Sequence, residues 1–266
     1  MKRLFLSLVI AISSVTLHGQ TLISSIEGGI PYYEIPPNEY AAERCELDVY
    51  YPVDKSAPDV VVWFHGGGLT GGQKHIPAEL YGKGICVVAV NYRLSPKAQH
   101  PAYIEDAAAA VAWTKKNIAC WGGDPDKIAV AGHSAGGYLA LMLALDKSYL
   151  GLYGIDAAAD IAAYWPISGQ CVTHNAVRTE MGLSETVPYI DKYAPLQHIT
   201  ADTAPITLVC GQAELELPQR TAENYFLYQA LLSVGNKSVR YYSLPGFDHG
   251  TCSPPALQLL VKELKK

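Results

Sequence analysis

The sequence predicts one α/β domain built on an open, mostly parallel sheet with helices on both faces. Segments 59–68 and 84–94 are continuous apolar runs, which are typical of strands buried on both faces. Strand-like and helix-like segments alternate over most of the chain. The 266 residues are 49% hydrophobic and 17% charged, and no Gly/Ser-rich or Pro-rich linker divides them. This composition suits a single domain with a large core.

The individual elements follow from the periodicity and from end signals. The predicted strands are 45–53, 59–68, 84–94, 127–134, 160–168, 205–211 and 238–246. The predicted helices are 102–119, 135–146, 220–235 and 254–266. Lysines are favoured at a helix C-terminus and lie at the end of the first predicted helix. Gly235 is a typical residue at the end of the third helix, and prolines are typical at the start of the last one. Residues 169–204 are less regular and predict a small cap or rim over the sheet end where ligands bind in such folds.

The N-terminus has the features of an export signal. Two basic residues precede the apolar run 4–12, and small and polar residues lead to a possible cleavage site near Gly19 or Gln20. An uncleaved anchor is the less favoured alternative, because the run is shorter than the roughly 20 residues that span a bilayer. We therefore expect a signal peptide over 1–20, one domain over 21–266, and a secreted or periplasmic protein without stable membrane insertion after cleavage.

Charge and cysteine content narrow the function classes. The net charge is −5 and there is no run of Lys or Arg, which argues against a nucleic-acid or anionic-membrane partner. The six cysteines form no C-x-x-C pair, which argues against a zinc or thioredoxin-like site. Export would permit disulfides, and the pairings Cys86–Cys120 and Cys171–Cys252 stay open. Buried thiols are the favoured interpretation for most of the six.

A candidate nucleophile lies in the segment GHSAG, residues 132–136, which fits G-x-S-x-G between a predicted strand and a predicted helix. A sharp turn there strains the backbone of Ser134, and a Cβ atom at Gly132 or Gly136 would clash. The turn lifts the Ser134 hydroxyl above the sheet and towards the positive end of the next helix. Because any glycine-rich turn can carry a serine, the other motifs decide the interpretation.

The segment HGGG, residues 65–68, directly follows a predicted strand. Its glycines allow backbone N–H groups to point at a developing oxyanion. We expect Gly67 and Gly68, together with the N–H of Ala135, to be the donors, each worth roughly 3 kcal/mol in the transition state. His65 is expected to brace the loop by hydrogen bonding. The alternative is a flexible turn without a catalytic role.

The candidate base is His249, in PGFDHG after the last predicted strand, since the base follows the acid in this type of fold. His133 is a rival, but a residue adjacent to Ser134 on a sharp turn points away from it. Four histidines lack a supporting motif and are expected to be solvated or structural. For two of them, His174 and His198, the largest role expected is to line the pocket. These four are His75, His100, His174 and His198.

The acid is expected in LVCGQAELELP, residues 208–218, in the turn after a predicted strand. Glu214 lies three residues after Gly211 and is the predicted acid, with Glu216 as the alternative. Its carboxylate would hold the tautomer of the base and stabilise the imidazolium. Asp248 is expected to brace its own loop.

Several motifs together resemble the α/β-hydrolase superfamily, and within it the hormone-sensitive-lipase-like and the acetylxylan- and feruloyl-esterase-like carboxylesterases. These are HGGG with GGQK, NYRLSP, IEDAAAAVAW, GGDPDKIAVAGHSAGG and PGFDHG, and the resemblance covers about residues 44–265. The family's acid segment reads G-x-x-D-x-x-V-P, and GQAELELP places Glu214 on the acid and Pro218 on the proline. Glutamate instead of aspartate is a departure from that pattern. Gly68, where an aromatic would indicate the similar arylformamidases, favours an esterase.

The resemblance implies a serine carboxylesterase that acts through an acyl-enzyme on short-chain esters, without a metal or organic cofactor. Export suggests acylated carbohydrates as substrates, namely acetyl groups on xylan or feruloyl groups on arabinoxylan. Five aromatic residues near the predicted rim would either stack on sugars or pack the core. They are Tyr153, Tyr164, Trp165, Tyr189 and Tyr193. The alternatives are an arylformamidase, a peptidase or amidase on the same fold, and a catalytically silent binding protein; oligomeric state is left open.

Overall fold

The computed structural model describes residues 13–17, 20–54 and 56–265. Residues 1–12 and 18–19, most of the predicted signal peptide, lie outside the described residues. The strands are β1 Ser13–Leu17, β2 Gln20–Pro31, β3 Glu46–Pro52, β4 Val60–Phe64, β5 Cys86–Val90, β6 Ile128–His133, β7 Ala163–Ile167, β8 Thr207–Gly211 and β9 Arg240–Leu244. The helices are α1 Glu39–Arg44, α2 Ala102–Asn117, α3 Ala135–Leu145, α4 Ser148–Gly151, α5 Asn175–Glu180, α6 Arg220–Ser233 and α7 Ser253–Leu264.

These strands form one sheet in the order β1-β2-β3-β5-β4-β6-β7-β8-β9. The pairs from β5 through β4 and β6 to β9 are parallel, whereas β1, β2 and β3 join by antiparallel pairing. The predicted mostly parallel α/β sheet is thus confirmed. In a parallel sheet all carboxyl ends lie at one edge, so the loops after β4, β6, β7, β8 and β9 converge there.

The centre of the sheet is buried on both faces. Every residue of β4, β5 and β8 is buried, and so is every residue of α3. Successive residues of one strand enter different core clusters, as Tyr164 and Trp165 of β7 do on opposite faces. The Ala-rich helix α2 packs against one face with small side chains, which permits close approach to α3.

Three elements of the N-terminal half differ from the sequence prediction. The predicted segments contain no counterpart of β1, β2 or α1. Strand β2 is irregular, because its register with β3 shifts between Glu27 and Ile30 and Gly29 has a positive φ of 71°. A bulge of this kind interrupts the alternation of apolar and polar residues that reveals a strand in sequence.

The segment between β7 and β8 corresponds to residues 169–204, for which the sequence predicts a small cap, and it is called the cap below. It contains α5 and a short 3-10 turn, Pro195–His198. The Tyr138 hydroxyl of α3 donates to the backbone oxygen of Tyr193 at 2.8 Å, and the Thr173 amide donates to the Tyr189 oxygen at 2.9 Å. The first bond attaches the cap to α3, and the second joins two parts of the cap itself.

All six cysteines belong to the described residues, and no disulfide joins any two of them. The two pairings left open by the sequence are therefore not formed. Cys120 is exposed, whereas the other five side chains are buried as expected. Within the described ranges, none of the helices is both long enough and apolar enough to cross a bilayer.

Candidate active site

The turn between β6 and α3 has the geometry that the sequence predicts. Ser134 lies at φ 56° and ψ −115°, a region that costs a non-glycine residue about 1–3 kcal/mol. A Cβ atom on Gly132 would lie 2.4 Å from the carbonyl of Gly136, and one on Gly136 would lie 2.0 Å from the backbone oxygen of Phe64. Glycine is therefore required on both sides of the serine, and the tight turn presents the Ser134 side chain above the strand end.

His249 lies next to this serine. Its Nε2 atom is 2.9 Å from Oγ of Ser134. His249 belongs to the loop between β9 and α7, which Asp248 braces by accepting hydrogen bonds from the amide and hydroxyl of Thr251 at 2.8 and 2.7 Å. The loop-bracing expectation for Asp248 agrees with this geometry, and the structure brings the predicted base to the predicted nucleophile.

Glu216, and not Glu214, contacts the imidazole. Oε1 of Glu216 is 2.5 Å from Nδ1 of His249. Glu214 is exposed and accepts a hydrogen bond from the Gln212 side chain at 3.0 Å. The prediction of Glu214 as the histidine's partner is therefore wrong. The chain makes a single helical turn after β8, with the Glu216 amide donating to the Gln212 oxygen at 2.9 Å, and residues two apart on such a turn point in opposite directions.

The carboxylate of Glu216 is buried and accepts four hydrogen bonds. Oε1 accepts from His249 and, at 2.9 Å, from the amide of Leu217. Oε2 accepts from the Ser168 hydroxyl at 2.7 Å and from the amide of Gly211 at 3.2 Å. Burial by itself raises the pKa of Glu216, but the hydrogen bonds from His249, Ser168 and Leu217 outweigh it and lower that pKa to about 2. The site therefore holds a carboxylate anion against the imidazole at neutral pH.

The glycine loop after β4 approaches the same serine. Gly67 and Gly68 have positive φ values of 115° and 65°, and a Cβ atom on Gly67 would lie 2.2 Å from the Gly71 oxygen. Among the described residues, none accepts a hydrogen bond from the amides of Gly67 or Gly68. A Cβ atom on Gly66 would lie 3.4 Å from Cβ of Ser134, so the loop packs directly against the turn. This contact of Gly66 was not predicted.

Ala135 is the first residue of α3. The first amides of a helix have no partner within the helix, so they are available to a bound anion. The structure thus places the three predicted amide donors on the two backbone segments that meet at Ser134. Their role as an oxyanion hole belongs to the proposed function.

His65 braces the glycine loop, as expected from its position. Its Nδ1 atom is 2.6 Å from the Gly66 oxygen, so the ring donates from this nitrogen. Its own backbone oxygen accepts from the Tyr92 hydroxyl at 2.7 Å, and the two rings stack with centroids 4.4 Å apart. Burial lowers the pKa of His65 to about 4, which keeps the ring neutral.

His133 also lies in the site but does not reach the nucleophile. Its Nε2 atom is 2.7 Å from the backbone oxygen of His249, and the two rings are 4.8 Å apart. Burial, together with the nearby His249, lowers the pKa of His133 to about 4. A neutral His133 donates to that oxygen and holds the His249 loop in place.

The remaining histidines have structural contacts. His174 is buried at the start of α5, where its Nδ1 atom accepts from the Ala176 amide at 3.2 Å, and burial lowers its pKa to about 3. His100 lies 2.7 Å from the Glu180 carboxylate, and His198 lies 2.8 Å from a backbone oxygen. The ring of His75 packs edge-on against a tryptophan.

The five rim aromatics divide into two groups. Tyr164 and Trp165 are buried in the core, so neither is available to stack on a sugar. Tyr153 and Tyr189 are exposed, and Tyr193 is half-buried. Tyr153 lines a cavity of about 890 Å³ between β2 and α2, which contains none of the residues around Ser134.

Comparisons with known proteins identify the family of the chain. A family model described as BD-FAE matches residues 47–152. Carboxylesterase NlhH of Mycobacterium tuberculosis is 34% identical over 233 residues, covering 76% of this chain and 69% of NlhH. A hyperthermophilic esterase from Pyrobaculum calidifontis has a TM-score of 0.65 at 25% identity, covering 83% of this chain and 79% of that one. A truncated carbohydrate esterase from gut microbiota has a TM-score of 0.71 at 16% identity, covering 90% and 95%, a likeness in fold. The chain belongs to the α/β-hydrolase carboxylesterase family and is a carboxylic ester hydrolase.

Proposed function

We propose that Ser134, His249 and Glu216 form the catalytic triad of this esterase and hydrolyse short-chain acyl esters through an acyl-enzyme. The observation that carries the proposal is one continuous set of contacts. The Ser134 hydroxyl lies 2.9 Å from the imidazole, whose other nitrogen lies 2.5 Å from a buried carboxylate. Both distances are within hydrogen-bond reach, as nucleophilic catalysis requires.

In the first half-reaction His249 accepts the Ser134 proton while Oγ bonds to the ester carbonyl carbon. The carbonyl electrons move to oxygen, and the resulting oxyanion accepts hydrogen bonds from the amides of Gly67, Gly68 and Ala135. As the tetrahedral intermediate collapses, His249 returns its proton to the leaving alcohol. In the second half-reaction His249 deprotonates a water molecule that attacks the acyl-enzyme, and Ser134 regains a proton as the acid leaves.

Glu216 has two tasks in this scheme. Its acceptor oxygen at Nδ1 fixes the tautomer that leaves Nε2 free to accept the serine proton. Its negative charge also stabilises the imidazolium that forms in each half-reaction. The low pKa of Glu216 matches this role, because the group stays ionised throughout the neutral and mildly acidic range.

For the substrate we propose short acyl groups, such as acetyl or feruloyl groups, on plant polysaccharides. The BD-FAE match and the fold shared with a carbohydrate esterase support a carbohydrate ester. A cap of one six-residue helix and a 3-10 turn gives little apolar surface to shield a long acyl tail. The exposed ring of Tyr189 lies on this cap and offers a face for a sugar ring.

The test is a substrate panel measured on wild type and on Ser134→Ala. It comprises p-nitrophenyl esters of increasing chain length, acetylated xylan, methyl ferulate, an N-formyl arylamine and a peptide p-nitroanilide. We expect kcat/KM to fall as the acyl chain of the p-nitrophenyl ester lengthens. We also expect wild type to release acetate from acetylated xylan or ferulate from methyl ferulate, and the variant to turn over no substrate. Preference for the formamide or anilide would replace the proposal with an arylformamidase or an amidase. Equal ester hydrolysis by Ser134→Ala would refute the nucleophile.

We also propose that the protein is exported with removal of residues 1–20, so the mature protein would lack the edge strand β1. The basic start and the short apolar run 4–12 support this. Expression of the full chain in a bacterial host, followed by N-terminal sequencing of the extracytoplasmic protein, tests it. A mature N-terminus near residue 20 is expected, and an intact N-terminus in the cytoplasm would contradict it.

A further inference from the structure

We propose that Ser168 is a positioning residue, whose hydroxyl fixes the orientation of Glu216 and His249. The inference rests on the proposed function. Ser168 directly follows β7, and β6 and β7 are neighbouring parallel strands. The amide of Ser134 donates to the Ile167 oxygen at 2.8 Å, so the two serines lie at adjacent strand ends. The sequence motifs did not single out Ser168.

The Ser168 hydroxyl bridges the acid and the base. Its Oγ atom donates to Oε2 of Glu216 at 2.7 Å and lies 3.0 Å from Nδ1 of His249. A hydroxyl has one proton, which is used on Glu216, so an oxygen lone pair remains to face the Nδ1–H group. The imidazole proton is thereby directed between Glu216 and Ser168, and neither ring nor carboxylate can rotate without losing a hydrogen bond.

The backbone holds Ser168 firmly in this position. The residue is fully buried, its amide donates to the Val209 oxygen at 2.6 Å, and its own oxygen accepts a hydrogen bond from the Arg220 guanidinium. Its φ of 49° lies in the left-handed region, which glycine adopts more readily than serine. This position suits glycine, yet it holds a serine whose hydroxyl contacts two members of the triad. We infer from this that the side chain has a role.

The test compares Ser168→Ala and Ser168→Gly with wild type. Both variants lack the hydroxyl. The glycine variant also removes the backbone strain at this positive φ, so the test remains valid if the alanine variant does not fold. A lost hydrogen bond to a charged group corresponds to roughly a ten- to hundredfold effect. We expect kcat to fall by about that factor in both variants, with KM within twofold of wild type.

A spectroscopic readout separates positioning from stability. The proton between His249 and Glu216 should give a downfield NMR resonance, and we expect it to shift or broaden in both Ser168 variants. Thr114→Val is the matched control, since it also removes a buried hydroxyl, one bonded to the Ala110 oxygen of α2. We expect this control to keep both the resonance and kcat.

The outcomes are distinct. A folded Ser168→Gly with wild-type kcat and an unmoved resonance would overturn the role of Ser168 and leave the triad intact. Equal loss of kcat in Thr114→Val would also overturn it, because any buried hydroxyl would then have the same effect. Activity in Ser134→Ala would instead refute the proposed function itself.

Discussion

Exchanging the two candidate carboxylates one at a time gives the sharpest test of the acid. Glu216→Gln removes the charge next to His249 and keeps the size of the side chain, whereas Glu214→Gln makes the same change two residues away on the exposed side of the turn. Two unit charges about 4 Å apart at an effective dielectric constant of about 20 interact by about 4 kcal/mol. The Glu216 side chain is fully buried, so solvent does not screen this interaction.

If that stabilisation of the imidazolium is lost, the rate falls by about 10³-fold, at 1.36 kcal/mol per factor of ten. We expect this loss in kcat for Glu216→Gln and a kcat within twofold of wild type for Glu214→Gln. The assay is p-nitrophenyl acetate hydrolysis, with thermal unfolding of each variant as the check on folding. A large loss in Glu214→Gln together with near-normal turnover in a folded Glu216→Gln would refute the reasoning.

Three further predictions follow from packing and burial. Gly136→Ala places a Cβ atom 2.0 Å from the Phe64 oxygen, so we expect the free energy of unfolding in urea to drop by about 3 kcal/mol or more, and an unchanged midpoint would contradict the packing argument. Burial lowers the pKa of His65 and of His133 to about 4 and that of His174 to about 3, so the unfolded chain, with ordinary histidines near 6.5, binds more protons below pH 6.5. Stability should therefore decrease from pH 6.5 towards pH 4, by up to about 4 kcal/mol per pH unit, and equal urea midpoints at pH 7.5 and pH 5 would speak against buried neutral rings. A thiol reagent should modify Cys120 in the native protein and all six cysteines in denaturant, and rapid native modification of several thiols would disagree with the burial described.

Much of the fold could be predicted from the sequence, because buried parallel strands appear as continuous apolar runs, a pattern that few other elements produce. The strand ending at Phe64 and the strand ending at His133 are examples, because each is an apolar run that leads into a turn containing glycine. Strand β2 escaped prediction because the bulge near Gly29 breaks its alternation. Helix α1, with six residues, is too short to show a helical period.

The residues of the site likewise divide into those that the sequence predicts and those that it does not. Ser134 and His249 lie in short motifs whose geometry is set locally, by glycines and by a braced loop, and the structure brings them together. The choice between Glu214 and Glu216 depends on where one helical turn begins, and the family spacing pointed to the wrong one of the two. Ser168 has no sequence signal, because its contact with Glu216 arises from the packing of neighbouring strand ends.

Covalent labelling shows whether the Ser134 hydroxyl is an activated nucleophile, on which the proposed reaction depends. Wild type and Ser134→Ala are incubated with a fluorophosphonate probe, and the intact mass and the labelled peptide are determined by mass spectrometry. We expect one label per chain of wild type, on Ser134, with loss of ester hydrolysis in proportion to labelling and no label on the variant. An unlabelled wild type that still hydrolyses esters, or a label on another residue, would contradict it.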